Sequence, residues 1–290
     1  VAMIPPIAED RLAAVFKAYD VRGLCPQEFD EPMARAIGAA FARYTKAASI
    51  VIGRDMRPSG EGLSLAFAEG VTSQGVDIID IGLASTDLLY FASGHLEMPA
   101  VMLTASHNPA PYNGIKFCNS GARAIGVDTG LNQIRQFAAK QANSTNSRGQ
   151  TREVDLLERF VQHVHSFIDV DVLQPLKVVA DTANGMGGHV LPATFDGLPF
   201  QLEILFEELD GTFPNHPADP IQPENLVDLR RKVIEVKADV GLAFDGDADR
   251  VFLVDERANP VSGSLTTALV ASAILEREGP GPILHNLICS

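Results

Sequence analysis

At 290 residues the chain is longer than one ordinary core and suits two domains with a remainder, taking roughly 100–150 residues per domain. Apolar residues at 46% and charged residues at 21% mark a globular composition, and no tract approaches the roughly 20 consecutive apolar residues of a membrane span. A net charge of −14 argues against nucleic acid or an anionic membrane as partner, and leaves room for a small anionic substrate where basic groups gather locally.

In chain order, short apolar or β-branched runs alternate with segments of helical period, the pattern of an α/β protein. The first stretch, VAMIPPIAEDRL, has no basic region followed by an apolar core, so no secretory signal is expected. Helices are predicted near Glu31–Tyr44, Gly60–Ser73 and Asp128–Gln141, and strands at Ile50–Gly53, Val76–Ile81, Ala100–Thr104 and Ile115–Cys118. These fill a first domain, 1–150. The polar stretch NSTNSRGQTR, 143–152, reads as a linker. A second domain, 151–254, is expected to hold helices near Val154–Phe167, Gly187–Thr194 and Pro223–Val236 and strands Lys177–Asp181, Gln201–Phe206, Val240–Phe244 and Val251–Asp255. The proline-rich segment between Asp210 and Pro223 reads as a loop. From 255 to 290 a third unit begins, with a helix near Ser264–Arg277 and a strand Ile283–Ile288, and the chain is expected to be truncated there. The fold class is therefore α/β, with tandem domains of mixed sheets and flanking helices. Cys25, Cys118 and Cys289 have no metal-like spacing and read as reduced thiols of a cytoplasmic protein.

Two motifs carry chemistry. The first is LTASHNPAPYNGIKF, 103–117, where an apolar run ends in Ser106, His107 and Asn108, with Lys116 ten residues beyond Ser106. A serine hydrolase is disfavoured, because there is no Gly-x-Ser-x-Gly elbow and His107 is poorly placed to act as base on its own neighbour. The second is DGDADR, 245–250, after the apolar run VGLAF. Asp245, Asp247 and Asp249 at alternate positions converge on one hard cation, Mg²⁺ or Ca²⁺. A calcium loop is disfavoured, since Arg250 stands where that loop needs glycine and a strand-like VFLVD follows. Three like charges without a cation would be an unfavourable turn. YDVRG, 19–23, adds Tyr19 and Arg22. His216 reads as a structural or hinge residue, and Arg54, Asp55 and Arg57 of GRDMRPSG either reach a cleft or pair internally.

Taken together, KAYDVRG (17–23), TASHNPAPYNGIKF (104–117), ADTANGMGG (180–188), DGTFPNHPADP (210–220) and DGDADR (245–250) resemble the α-D-phosphohexomutases, specifically the phosphomannomutase/phosphoglucomutase group. The resemblance implies a mutase that interconverts hexose 1-phosphate and hexose 6-phosphate, of mannose or glucose. Ser106 would carry the phosphoryl group, Lys116 would be the general acid/base and His107 would position phosphate or hydroxyl. Tyr19, Arg22, Asn108 and Arg250 would contact substrate or phosphate. One Mg²⁺ would sit on Asp245, Asp247, Asp249 and a phosphoserine oxygen of Ser106, and a hexose 1,6-bisphosphate would be intermediate and activator. Three aspartates and a phosphoserine of about −1.5 to −2, set against Mg²⁺, leave roughly −3, which explains the need for Arg22, Lys116 and Arg250 nearby. GLASTD, 82–87, lacks the prolines common in the family at this point. In the family a third domain selects the sugar and a fourth holds the distal phosphate, so the 290 residues alone are expected to lack mutase turnover. The alternative is a non-catalytic phosphosugar- or metal-binding fragment; a one-way phosphatase is disfavoured.

Overall fold

The computed structural model describes residues 3–284. Its first part runs β1 (Met3–Ile4), α1 (Glu9–Val15), β2 (Val21–Leu24), α2 (Glu31–Thr45), β3 (Ser49–Arg54), α3 (Gly60–Ser73), β4 (Asp77–Leu83) and α4 (Thr86–Leu96). It continues through β5 (Ala100–Leu103), β6 (Tyr112–Asn119), β7 (Arg123–Ala124), α5 (Leu131–Ala138), β8 (Ala142–Asn143) and β9 (Thr151–Glu153). The second part holds α6 (Leu157–His165), β10 (Leu176–Asp181), α7 (Gly187–Phe195), β11 (Phe200–Leu205), α8 (Val227–Val236), β12 (Val240–Phe244) and β13 (Val251–Asp255). The last described helix is α9 (Gly263–Glu278).

The first sheet has the order β2-β6-β5-β3-β4-β9, with β7 on β6. Strands β5, β3, β4 and β9 are parallel, while β6 runs antiparallel to β5 and β2 antiparallel to β6. Strand alternation divides its side chains between two layers. Ile50, Ile52, Val101 and Leu103 pack under α2, α3 and α5, while Val51, Ile79, Met102 and Cys118 pack under α4 and α6. All four residues of β5 are buried, as a central parallel strand covered on both faces requires. Helix α2 starts where Asp30 accepts a hydrogen bond from the Met33 amide at 3.0 Å, and it ends at Lys46 in the left-handed region.

The second sheet has the order β11-β10-β12-β13, parallel except for the last, antiparallel pair. Leu229 and Val233 of α8 cover Val179, Ala243 and Val254 on one face. Val190 of α7 joins Leu156 and Phe160 in the apolar layer beneath the first sheet, so the two units share packing.

One expectation is corrected. The segment 143–152 is not a free linker. Asn143 belongs to β8, which pairs with β1, and Thr151–Glu153 adds β9 to the edge of the first sheet beside β4. The Thr145 and Gly149 amides donate to the carbonyls of Ser73 and Thr72. A polar edge strand is held by its backbone and needs no apolar alternation, which is why its composition reads as a linker. The first sheet therefore runs past residue 150. The expected strand Ile283–Ile288 lies largely outside the described residues, and Ile283 and Leu284 are not in a strand. Among the described residues no helix is long and apolar enough to cross a membrane.

Candidate active site

Several of the candidate side chains leave the carboxyl ends of the parallel strands, where open α/β sheets place their ligand crevices. Ser106 follows β5, Arg57 follows β3, Thr86 follows β4, and Asp245 follows β12. The hairpin β12–β13 closes with Phe244 opposite Val251, so DGDADR is the loop between them. That loop meets the Ser106 loop backbone to backbone: a Cβ on Gly246 would stand 2.5 Å from the Ser106 carbonyl oxygen, so only glycine allows the approach.

Ser106 is buried and has φ of 52°. Its hydroxyl donates to Asp245 Oδ2 at 2.7 Å and accepts from Arg250 Nη2 at 2.7 Å. Arg250 also pairs with Asp245 through Nε at 2.9 Å and reaches His107 Nδ1 at 2.6 Å. Because the guanidinium can only donate, Nδ1 is the acceptor and a neutral His107 carries its proton on Nε2. Burial and then the Arg250 charge push the His107 pKa down, which favours that neutral ring.

Lys116, opposite Met102 in the β5–β6 register, extends its ammonium to Asp247 Oδ2 at 2.5 Å and Asp249 Oδ2 at 2.7 Å. Burial alone would lower its pKa, but the two carboxylates outweigh burial and hold it well above the usual lysine value. Burial would likewise raise Asp247, yet Lys116 and the hydrogen bonds from Lys116 and Thr86 bring it down to about 2. Asp245 moves the other way, pushed up to about 7 by burial and by the Asp247 charge, with Arg250 opposing. Two neighbouring carboxylates are thus driven apart, Asp247 downward and Asp245 upward.

One carboxylate oxygen from each of Asp245, Asp247 and Asp249 lies within 4.8 Å of the others. Asp247 Oδ1 is buried with no hydrogen-bond partner among the described residues. An orphaned anionic oxygen inside a set of hard carboxylate donors suits a hard divalent cation, so these residues fit Mg²⁺.

The remaining expected residues lie around this centre. Arg22 on β2 donates to Asn108 Oδ1 and to Asp20, each at 2.6 Å. Tyr19 is 82% exposed and lines a cavity of about 220 Å³ with Lys116, Asp249 and Tyr90. A second cavity, of about 440 Å³, opens beside His107 and Asn108 and is walled by Pro217 and Asp219 of the proline-rich loop. Of GRDMRPSG, Asp55 and Arg57 do pair internally, at 3.2 Å, and Arg57 also reaches the Ser106 loop. Thr86 was not expected from the sequence. Its hydroxyl donates to Asp247 Oδ2 at 2.6 Å and its amide to the Asp247 carbonyl at 3.0 Å. The available signal was Ser85, which accepts from the Leu88 amide and caps α4, marking Thr86 as the first helical residue.

Fold and site together define a two-domain α/β protein in which one serine hydroxyl, one lysine and a carboxylate cluster are brought together from both domains. Residues 13–145 match "Phosphoglucomutase/phosphomannomutase, alpha/beta/alpha domain I" and residues 158–259 match domain II of the same series, and the chain belongs to the phosphoglucomutase/phosphomannomutase family. It is 41% identical over 280 residues to a phosphomannomutase of Salmonella montevideo, covering 93% of this chain and 61% of that protein. Identity is 40% over 282 residues to a phosphomannomutase of Escherichia coli strain K12, with the same two coverages. Among solved structures, a phosphoglucomutase/phosphomannomutase family protein from Burkholderia thailandensis superposes with a TM-score of 0.85 at 33% identity, covering 94% of this chain and 60% of that one. The chain therefore spans about three fifths of the length of the curated relatives it matches.

Proposed function

We propose that this chain carries the reacting half of a phosphosugar mutase that interconverts hexose 1-phosphate and hexose 6-phosphate through a phosphoserine at Ser106. The observation that carries the reading is the Ser106 hydroxyl, hydrogen-bonded at once to Asp245 and Arg250 and set beside the aspartate cluster. In the forward half-reaction a free sugar hydroxyl attacks the phosphorus of phospho-Ser106. The new P–O bond forms to the sugar, the bond to Ser106 Oγ breaks, and the product is a hexose bisphosphate. The hydroxyl's proton passes to Lys116 as the lysine hands its own proton to a neighbouring carboxylate of the cluster, and the Ser106 oxygen recovers a proton from the same network. Lys116, held as an ammonium by Asp247 and Asp249, is the acid that protonates the sugar oxygen in the reverse direction. Arg250 follows the oxygen it already contacts and balances charge on the phosphoryl group. His107, neutral and fixed by Arg250, orients hydroxyl or phosphate through Nε2. Arg22 and Asn108 border the same entrance, and Tyr19 faces the sugar.

Asp245, Asp247 and Asp249 would hold Mg²⁺, with a phosphoserine oxygen as a further ligand. When bound, that ion supplies electrostatic stabilisation to the transferring phosphoryl group. Hexose 1,6-bisphosphate is then both intermediate and the donor that loads Ser106. By the family resemblance, sugar selection and the grip on the distal phosphate belong to domains beyond the two matched here. We therefore infer that the two domains matched here carry the phosphoryl-transfer half-reaction.

The test is that half-reaction. The phosphorylated 290-residue chain, mixed with Mg²⁺ and glucose 1-phosphate or mannose 1-phosphate, is expected to lose its phosphoryl group to the sugar and yield the hexose 1,6-bisphosphate. Release of inorganic phosphate alone, at a rate independent of sugar phosphate, would instead mark a hydrolase.

A further inference from the structure

The backbone of Ser106 is fixed at both of its polar groups by side chains. Its amide donates to Thr104 Oγ1 at 2.9 Å, and its carbonyl accepts from Arg57 Nη2 at 2.8 Å. The same guanidinium donates through Nη2 to the Asn108 carbonyl at 2.6 Å, through Nη1 to the carbonyls of Pro109 and Tyr112 at 2.9 Å each, and through Nε to Asp55 Oδ2 at 3.2 Å. Five N–H donors thus meet five acceptors, and four of those are main-chain carbonyls: three of the loop that carries Ser106 and one of Tyr112, where that loop enters β6. Arg57 is 2% exposed, among the largest fully buried side chains, and its bonds to the Ser106 carbonyl and Asp55 are fully buried, while those to Asn108, Pro109 and Tyr112 are partly so. Asp55 balances its charge and is itself held by the Arg57 amide at 3.0 Å.

A non-glycine residue at positive φ is strained and persists where its surroundings over-determine it. Ser106, at 52°, is such a residue. The second domain completes the cage: the Phe213 ring lies over the guanidinium, 5.2 Å from ring centroid to Cζ, and a Cβ on Gly211 would stand 2.5 Å from the Arg57 Cα.

We propose that Arg57 is a positioning residue for the reaction at Ser106: it holds the serine loop and its entry into β6 by four carbonyls, and so fixes the hydroxyl in line with Asp245 and Arg250. The proposal rests on the phosphoryl-transfer reading above. Arg57 is not among the residues lining either cavity beside the site, so its replacement is expected to act on the rate of transfer more than on bisphosphate binding. Lysine at this position keeps the charge for Asp55 but brings only three donors, leaving buried carbonyls unpaired.

The experiment follows loading of Ser106 in the 290-residue chain by glucose 1,6-bisphosphate with Mg²⁺, over a range of bisphosphate concentrations, for wild type, Arg57→Lys and Phe213→Leu. Amide hydrogen exchange and thermal unfolding are measured on the same samples. For Arg57→Lys the maximal loading rate is expected to fall by about 100-fold with the half-saturating concentration changed less than about threefold, and faster exchange is expected to be confined to residues 105–112. Phe213→Leu, which keeps all five hydrogen bonds, is expected to lose about threefold to tenfold in the same rate. A maximal rate for Arg57→Lys within about threefold of wild type would overturn the proposal, as would a loss that tracks exchange raised across the whole chain. If Arg57→Lys does not fold, Phe213→Leu decides, with an unchanged rate and unchanged loop exchange overturning it. If wild type takes no label, the phosphoryl-transfer reading falls. Arg57 is then judged on exchange alone, where retained protection of 105–112 in the lysine variant counts against it.

Discussion

His216 has both ring nitrogens against oxygen acceptors: Nε2 lies 3.0 and 3.2 Å from the two carboxylate oxygens of Asp181, and Nδ1 lies 2.9 Å from the Pro217 carbonyl. Neutral imidazole has one N–H, so satisfying both sides requires the imidazolium. Burial acts to lower its pKa, but the Asp181 hydrogen bond and charge, then the Pro217 carbonyl and Asp228, outweigh burial and raise it. The structural reading of His216 drawn from the sequence therefore holds at the level of contacts, since it ties the proline-rich loop to the end of β10. A folded pKa above the unfolded one gives a contribution that is complete below the ordinary imidazole value of about 6.5 and fades as pH rises through the raised folded value. The stability difference between wild type and His216→Gln, measured by urea unfolding, is expected to be largest near pH 5.5 and to shrink by about pH 9. A difference that grows with pH would mean the histidine is neutral in the fold.

At the scale of elements, the start of α4 is what secures the aspartate turn. Thr86 binds Asp247 through both hydroxyl and amide, and the aspartate so held is the one whose second oxygen is left orphaned. Losing a hydrogen bond to a metal ligand commonly costs about 10–100-fold in affinity, so Thr86→Val is expected to weaken Mg²⁺ binding by about that factor, read by calorimetry on the 290-residue chain. Thr86→Ser, which keeps the donor, should restore most of it; equal affinity in the valine variant would show that the turn holds its own shape. This contact joins residues 161 positions apart, and no local pattern announces it. Strands β12 and β13 fall at the bounds expected from sequence because apolar runs there are bracketed by the DGDADR turn and the ERANP turn. Helix α3 was equally plain, between Ser59 and Gln74. Helix α4 carries no comparable signal, since TDLLYFASGHL mixes aromatic residues, glycine and histidine and lacks a clean apolar stripe. Strand β9 is three exposed polar residues whose only structural claim is backbone pairing.

For the whole molecule, the motif residues were legible one by one, while their relation across the domains was not. Ser106 and Asp245 are 139 residues apart and meet at 2.7 Å only because both leave the carboxyl edge of a parallel strand and the two edges abut through Gly246. Arg57 was legible as a charged residue after a strand, and its role as the support of the serine loop depends on carbonyl positions that a sequence does not display. The exposed apolar residues Leu265, Leu269, Val270 and Ile274 on α9 belong to none of the three apolar clusters of the two sheets. The central claim is that one hydroxyl, that of Ser106, is the phosphoryl carrier. It is tested most directly by treating the 290-residue chain and its Ser106→Ala variant with glucose 1,6-bisphosphate and Mg²⁺, then measuring intact mass and mapping the modified peptide. One phosphoryl group on the peptide 103–117 of the wild-type chain and none on the alanine variant is the expected result; equal labelling of Ser106→Ala, or a phosphoryl group mapped to another residue, would contradict it.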